Sequence, residues 1–167
     1  LTSNVTGLTL NGGAVTTTGN QTYNTGVVLG ATTTLTSQGN GSGSSSFSIN
    51  LGNGVTGNQN LNLVAGSTGN FSFTLGGTLA LNNVAVTGNA AGSNTLTVRT
   101  GSSQTYNMSG TNTASITASG VGGTFNATDI QNYVGGNNGN NFIFADGASI
   151  TGSINGGSLA STNTLDY

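Results

Sequence analysis

From Leu8 to Ile150 the chain repeats one local theme: three to five alternating or β-branched residues, then a break of Gly, Asn or Ser. Leu8-Thr9-Leu10, Val15-Thr16-Thr17-Thr18, Val27-Val28-Leu29 and Thr32-Thr33-Thr34-Leu35-Thr36 open the series. Phe47-Ser48-Ile49, Leu61-Asn62-Leu63-Val64, Phe71-Ser72-Phe73-Thr74-Leu75 and Leu79-Ala80-Leu81 continue it. Leu96-Thr97-Val98, Ser115-Ile116-Thr117, Thr124-Phe125, Phe142-Ile143-Phe144 and Ser149-Ile150-Thr151 complete it. Alternation of period two puts successive side chains on opposite faces of a strand. No window keeps the i, i+3, i+4, i+7 spacing of an amphipathic helix, and Lys and Glu, which usually coat a helix's solvent face, do not occur. The sequence specifies an all-β protein.

Its charge is as unusual as its pattern. Of 167 residues only Arg99, Asp129, Asp146 and Asp166 carry a formal side-chain charge, against roughly a quarter of the residues in an ordinary domain. Without His or Cys there is no imidazole base, thiolate nucleophile or soft metal site. One arginine cannot neutralise a phosphate backbone, so no nucleic-acid partner is expected. The longest purely apolar stretch, Phe142-Ile143-Phe144-Ala145, is far short of the ~20 residues of a membrane span, and no membrane insertion is expected. Disorder is disfavoured because 33% of residues are hydrophobic and disordered chains are rich in Pro, Glu and Lys. The chain begins at Leu1 with no signal peptide, as expected of a processed product or an excised piece of a longer exported protein.

Spacing and repetition choose among all-β folds. Gln21-Thr22-Tyr23-Asn24 recurs as Gln104-Thr105-Tyr106-Asn107, Thr34-Leu35-Thr36-Ser37 is echoed by Ser115-Ile116-Thr117-Ala118, and Leu8-Thr9-Leu10-Asn11 is matched by Leu79-Ala80-Leu81-Asn82. A β-solenoid explains short strands, Gly and Asn corners, and ladders of like residues one coil apart. Like charges stacked one coil apart would repel by about 0.9 kcal/mol even in bulk water, so the missing charges follow too. Coils of roughly 20 residues predict about eight coils and a rod on the order of 40 Å long. The expected fold is a parallel β-helix forming one unit over residues 1–167, with a variant carboxy-terminal part from about residue 129. A β-sandwich or jelly roll is the alternative.

Two stretches carry a family likeness: Gly13-Ala14-Val15-Thr16-Thr17-Thr18-Gly19-Asn20-Gln21-Thr22-Tyr23-Asn24 and Val28-Leu29-Gly30-Ala31-Thr32-Thr33-Thr34-Leu35-Thr36. They resemble the β-strand repeats of large bacterial exoproteins related to filamentous haemagglutinin. Phe144-Ala145-Asp146-Gly147-Ala148-Ser149-Ile150-Thr151-Gly152-Ser153-Ile154-Asn155-Gly156-Gly157 and the closing Thr164-Leu165-Asp166-Tyr167 are similar to passages of the same proteins. The resemblance implies a right-handed parallel β-helix, export across the outer membrane, and adhesion or matrix building. The Asn-Pro-containing secretion motif of that family's amino-terminal domain is absent, since the chain has no proline, which points to an internal or carboxy-terminal segment.

Candidate sites are few. Gly135-Gly136-Asn137-Asn138-Gly139-Asn140-Asn141-Phe142-Ile143 is similar to the calcium nonapeptide G-G-x-G-x-D-x-U-x, but Asn138 stands at the second glycine step and Asn140 replaces the carboxylate. Asp146 alone could add a charged oxygen, a weak calcium candidate for a cation that takes several, and a turn between coils is the plainer expectation. Six N-x-[ST] triplets, at Asn4, Asn20, Asn40, Asn70, Asn107 and Asn126, are formal glycan acceptors; chance gives about 7. Threonine pairs spaced by one residue start at Thr16, Thr32, Thr34, Thr95, Thr111 and Thr162, without one coil period between them. An ordinary stacked β-surface accounts for them better than an ice-binding face. Tyr23, Tyr106, Tyr133 and Tyr167 could stack sugars, although each is expected to fill a core ladder or cap a coil. Asp129, Asp146 and Asp166 would need basic partners to cleave polysaccharide, and Arg99 is the sole candidate.

No enzymatic activity and no cofactor are expected. The sequence-level expectation is an extracellular structural or adhesive segment of a bacterial surface protein. A filament subunit that self-associates through exposed strand edges or donated strands is the alternative. A module recognising matrix carbohydrate or ice is a further one.

Overall fold

The computed structural model describes residues 1–39, 46–66, 68–157 and 162–167, and no helix occurs among them. The chain winds as a β-solenoid. Its first coil carries β1 (Thr2–Ser3), β2 (Leu8–Leu10) and β3 (Ala14–Thr17); its second β4 (Gln21–Tyr23), β5 (Val27–Leu29) and β6 (Thr33–Ser37). The third carries β7 (Ser46–Leu51), β8 (Val55–Thr56) and β9 (Leu61–Ala65); the fourth β10 (Asn70–Gly76) and β11 (Val84–Thr87). The fifth holds β12 (Thr95–Arg99), β13 (Gln104–Gly110), β14 (Thr113–Thr117) and β15 (Phe125–Thr128). Then follow β16 (Asn132–Val134) and β17 (Asn140–Phe144), and finally β18 (Ile154–Asn155) and β19 (Thr164–Asp166).

Stacking these coils makes three sheets. Sheet I runs β1-β4-β7-β10-β12-β16-β18, parallel throughout. Sheet II runs β3-β6-β9-β11-β15-β14-β13-β17-β19, parallel except where β14 lies antiparallel to both neighbours. Sheet III, β2-β5-β8, is extended by single bridges from Val55 to Leu79 and from Leu81 to Val121.

Register partners along sheet I are Thr2, Thr22, Asn50, Thr74, Thr97, Val134 and Asn155, so successive coils take 20, 28, 24, 23, 37 and 21 residues. The column therefore has about six turns and spans roughly 29 Å, not the eight coils and 40 Å that a uniform 20-residue period predicts. Extra residues between strands absorb the rest of the chain.

Alternation decides which side chains enter the column. Ile49, Phe73, Leu96 and Tyr133 stack in register on sheet I, and each is fully buried. Leu35, Leu63, Val86 and Ala127 do the same on sheet II. Each aliphatic rung contributes about 2 kcal/mol of apolar burial. The Leu8 and Leu79 triplets belong to one ladder, Leu8-Val27-Val55-Leu79, so that sequence echo is a true coil repeat. The Gln-Thr-Tyr-Asn echo is not: Gln21 begins a strand of sheet I and Gln104 a strand of sheet II.

Asparagines tie the corners together. At the start of sheet I strands, Asn20, Asn70 and Asn132 accept through Oδ1 the backbone N–H of Ser48, Ser93 and Ser153 in the next coil, at 2.9, 2.8 and 3.0 Å. At the start of sheet II strands, Asn60 Oδ1 accepts Asn83 N–H at 3.2 Å and Asn83 Oδ1 accepts Thr124 N–H at 2.8 Å. Corners also need glycine where coils touch: Gly57 has φ of 117°, and a Cβ there would collide with the Leu29 carbonyl of the preceding coil.

Candidate functional site

The chemistry-bearing residues do not converge. Arg99 is exposed at the end of β12, Asp146 is exposed after β17, and Asp166 is exposed on β19. Asp129 sits at the corner after β15 with φ of 55°, its carbonyl accepting Asn94 Nδ2 at 2.8 Å. Among the described residues no group of three or more His, Cys, Asp or Glu is placed to hold a metal ion.

The glycine-asparagine run at 135–143 leaves β16, and its last four residues form the start of β17. Asn140 is buried there, and its Nδ2 donates to the Gly136 and Gly156 carbonyls at 2.9 and 2.7 Å. Its amide nitrogen thus joins two coils, while its buried Oδ1 has no partner and no carboxylate cluster of a cation site is gathered with it among the described residues.

The N-x-[ST] asparagines fall into two groups. Asn4 Oδ1 accepts Asn24 Nδ2 at 2.6 Å, while Asn20 and Asn70 hold the next coil as described above. Asn107 and Asn126 are exposed on the outer face of sheet II, either side of Ser115. Asn40 lies outside the described residues.

Three tyrosines fill the interior. Tyr23 donates its hydroxyl to Gln21 Oε1 at 3.0 Å, while Gln21 Nε2 crosses the column to the Val15 and Thr36 carbonyls of sheet II at 3.2 and 2.8 Å. Tyr106 stacks on Phe142 at 4.5 Å and meets Tyr133 edge-on at 5.8 Å, yet neither hydroxyl has a partner. The carbonyl of Gln104 is engaged instead by Gly136 N–H at 3.1 Å. Burial pushes the Tyr23 phenol up to about 12 and raises Tyr133 further. Tyr106 is raised by burial and then by the charge that Tyr133 would carry. Tyr167 is exposed but stacks on Phe144 at 4.8 Å, as a cap on the last coil.

What remains accessible, apart from these few charges, is a polar, laddered surface. Thr16, Thr36, Val64, Thr87 and Thr128 form one outward column on sheet II, each in register with the next. Sequence spacing hides this column because its intervals are 20, 28, 23 and 41 residues. Alignment of the inward positions Val15, Leu35, Leu63 and Val86 would have revealed it. A shallow groove of about 380 Å³ runs beside sheet III, lined by Thr6, Thr25, Gly26, Val28, Asn53 and Thr56 among others, none of them charged. Comparison with protein-family models, with curated proteins and with solved structures finds no match.

Proposed function

We propose that this protein is a non-enzymatic structural segment of a bacterial extracellular surface protein, a stalk or matrix-building rod that holds other parts at a distance. The observation that carries this reading is the continuous in-register stacking of sheet I over seven strands, with uncharged ladders inside and Arg99 as the one charge on its strands. A load along such a column is shared among parallel rows of backbone hydrogen bonds. The resemblance to filamentous haemagglutinin-type exoproteins supports the extracellular and adhesive part of the reading.

A second reading, a subunit of a self-assembling filament, is favoured by the terminal coils. Leu1 and Val5 are 56% and 60% exposed at one end, and Leu165 and Tyr167 are 54% and 85% exposed at the other, whereas internal rungs are fully buried. Such rungs take a further coil, from flanking chain or from a second copy. Electron microscopy of the purified protein, with melting followed from pH 5 to 9, tests both. Dispersed short rods with a constant melting temperature are expected of the stalk, and long fibres would replace it with the filament. A melting temperature that moves by many degrees in that range would count against either.

A further inference from the structure

The two main sheets do not have the same number of strands. Six of the seven sheet I strands have one partner each on sheet II; β12 is followed by three, β13, β14 and β15. Between the β12/β15 level and the β16/β17 level, sheet I advances by one strand and sheet II by three.

The surplus is a hairpin set into an otherwise ordinary coil. Gly76 pairs with Arg99 and Leu81 with Val121, so five residues in the fourth coil correspond to 22 in the fifth. The excess of 17 matches residues 101–117, which comprise β13, β14 and the turn at Asn112, whose φ is 54°. Removing them from the 37-residue coil leaves 20, the length of the first coil. The points of departure and return lie together: Thr100, Gly101 and Ser119 line one small groove beside Leu79.

The hairpin is packed, not looped out. Tyr106 and Met108 of β13 and Ala114 and Ile116 of β14 all point inward and are buried. On sheet I, β12 and β16 bury the apolar side chains of Leu96, Val98 and Tyr133, and the Tyr106 ring meets Tyr133. Asn112 closes the far end, accepting Ile130 N–H at 3.0 Å and donating its own N–H to the Ser149 carbonyl at 2.8 Å. Both sheets therefore stay hydrogen-bonded and in contact through a region where one is longer by two strand spacings.

We propose that residues 101–117 are a wedge that bends the solenoid, with sheet II on the outside of the bend. Two extra spacings on one side of sheets ~10 Å apart correspond to a turn of about 50°. In an extended surface protein this elbow sets the direction in which the coils beyond it point. The unpartnered hydroxyls of Tyr106 and Tyr133 lie at the same level, a local cost of seating the hairpin between coils.

Spin labels on introduced cysteines test this in the full chain, which has no cysteine of its own. Thr74 and Asn155 lie on one outward column of sheet I, three strand steps apart. Ala85 and Asp166 lie on one outward column of sheet II, five steps apart between the same two levels. A bend predicts about 14 Å for the first pair and about 24 Å for the second. Thr22 with Thr74 and Thr34 with Ala85 each span two steps of the regular part and should match at about 10 Å. Equal distances for the Thr74/Asn155 and Ala85/Asp166 pairs would show an arched sheet II over a straight column and overturn the bend. Deleting residues 101–117 should leave a folded protein in which those two distances converge. A deletion variant that fails to fold would show that the coil is not complete without the hairpin and overturn the wedge as an insertion.

Discussion

Tyr23 and Tyr106 follow the same dipeptide, Gln-Thr, and both rings are buried, but loss of the hydroxyl should act on them in opposite directions. The Tyr23 hydroxyl donates to Gln21 Oε1 at 3.0 Å, and no second donor to that oxygen is found among the described residues. Tyr23→Phe deletes this bond and leaves a buried amide oxygen unpaired, a cost of about 1–3 kcal/mol. At ~2–4 °C per kcal/mol for a chain of this size, melting should fall by roughly 2–12 °C. The Tyr106 hydroxyl is buried with no partner, and Gln104 Oε1, the counterpart of the Gln21 oxygen, accepts Gly136 N–H instead. Tyr106→Phe removes a polar group that the fold buries unpaired, a relief of about 1–2 kcal/mol, less a few tenths for the dispersion contacts of one oxygen. Its melting temperature should stay level or rise. Both variants keep the ring, so the comparison isolates the hydroxyl, and paired thermal and urea unfolding followed by circular dichroism reads it. A loss in Tyr106→Phe as large as that in Tyr23→Phe would refute the reasoning.

Two further outcomes are expected. Tyr23, Tyr106 and Tyr133 have phenols raised above the ordinary value near 10, so the folded state holds its protons longer than the unfolded one. Their contribution is complete below about pH 10 and is lost as pH climbs through 12; urea midpoints at pH 9, 10, 11 and 12 should fall only in the last steps, and a flat series would contradict the burial of the phenols. Asn83 joins three coils, accepting Thr124 N–H and donating its amide to Asn60 Oδ1 at 2.9 Å. Asn83→Ala should destabilise by about 1–3 kcal/mol while Asn107→Ala, on the outer face, should change urea stability by less than about 0.5 kcal/mol; equal losses would remove the corner role assigned to Asn83.

The strands were legible because alternation is local: Phe71-Ser72-Phe73-Thr74-Leu75 reads as a strand with its phenylalanines inward, and β10 has that arrangement. Parallel stacking was legible from the ladder logic of small residues and missing charge. The number of turns was not, because it depends on how many residues each coil spends between strands, from 20 to 37, and sequence spacing cannot separate a long coil from a short one with an insertion. The antiparallel β14 shows the limit well. Ser115-Ile116-Thr117 has the same alternation as Thr34-Leu35-Thr36, and alternation carries no information about direction along the sheet. For the same reason the repeated Gln-Thr-Tyr was readable as a repeat whose tyrosines fill a ladder or cap a coil, but not as strands of two different sheets.

Varying coil length also clarifies why charge is scarce. A loop that lengthens or shortens leaves the ladders intact, since pairing is fixed strand by strand: Thr22, Asn50 and Thr74 remain in register although 28 and 24 residues separate them. What a coil cannot escape is its vertical neighbour, about 4.8 Å away on both sides for every internal strand. A charge in a strand is tolerated where that neighbour is neutral. Arg99 pairs with Gly76, and Asp166 with Ile143, so neither charged strand residue faces another charge across its register partner. The residues that do stack repeatedly are those whose side chains gain from an identical or polar neighbour, such as Asn60 over Asn83, or gain from burial, such as Leu35 over Leu63. On this view the composition records the pitch of the column, and the sequence is free to change coil length, even to admit a hairpin, as long as each rung meets a compatible one.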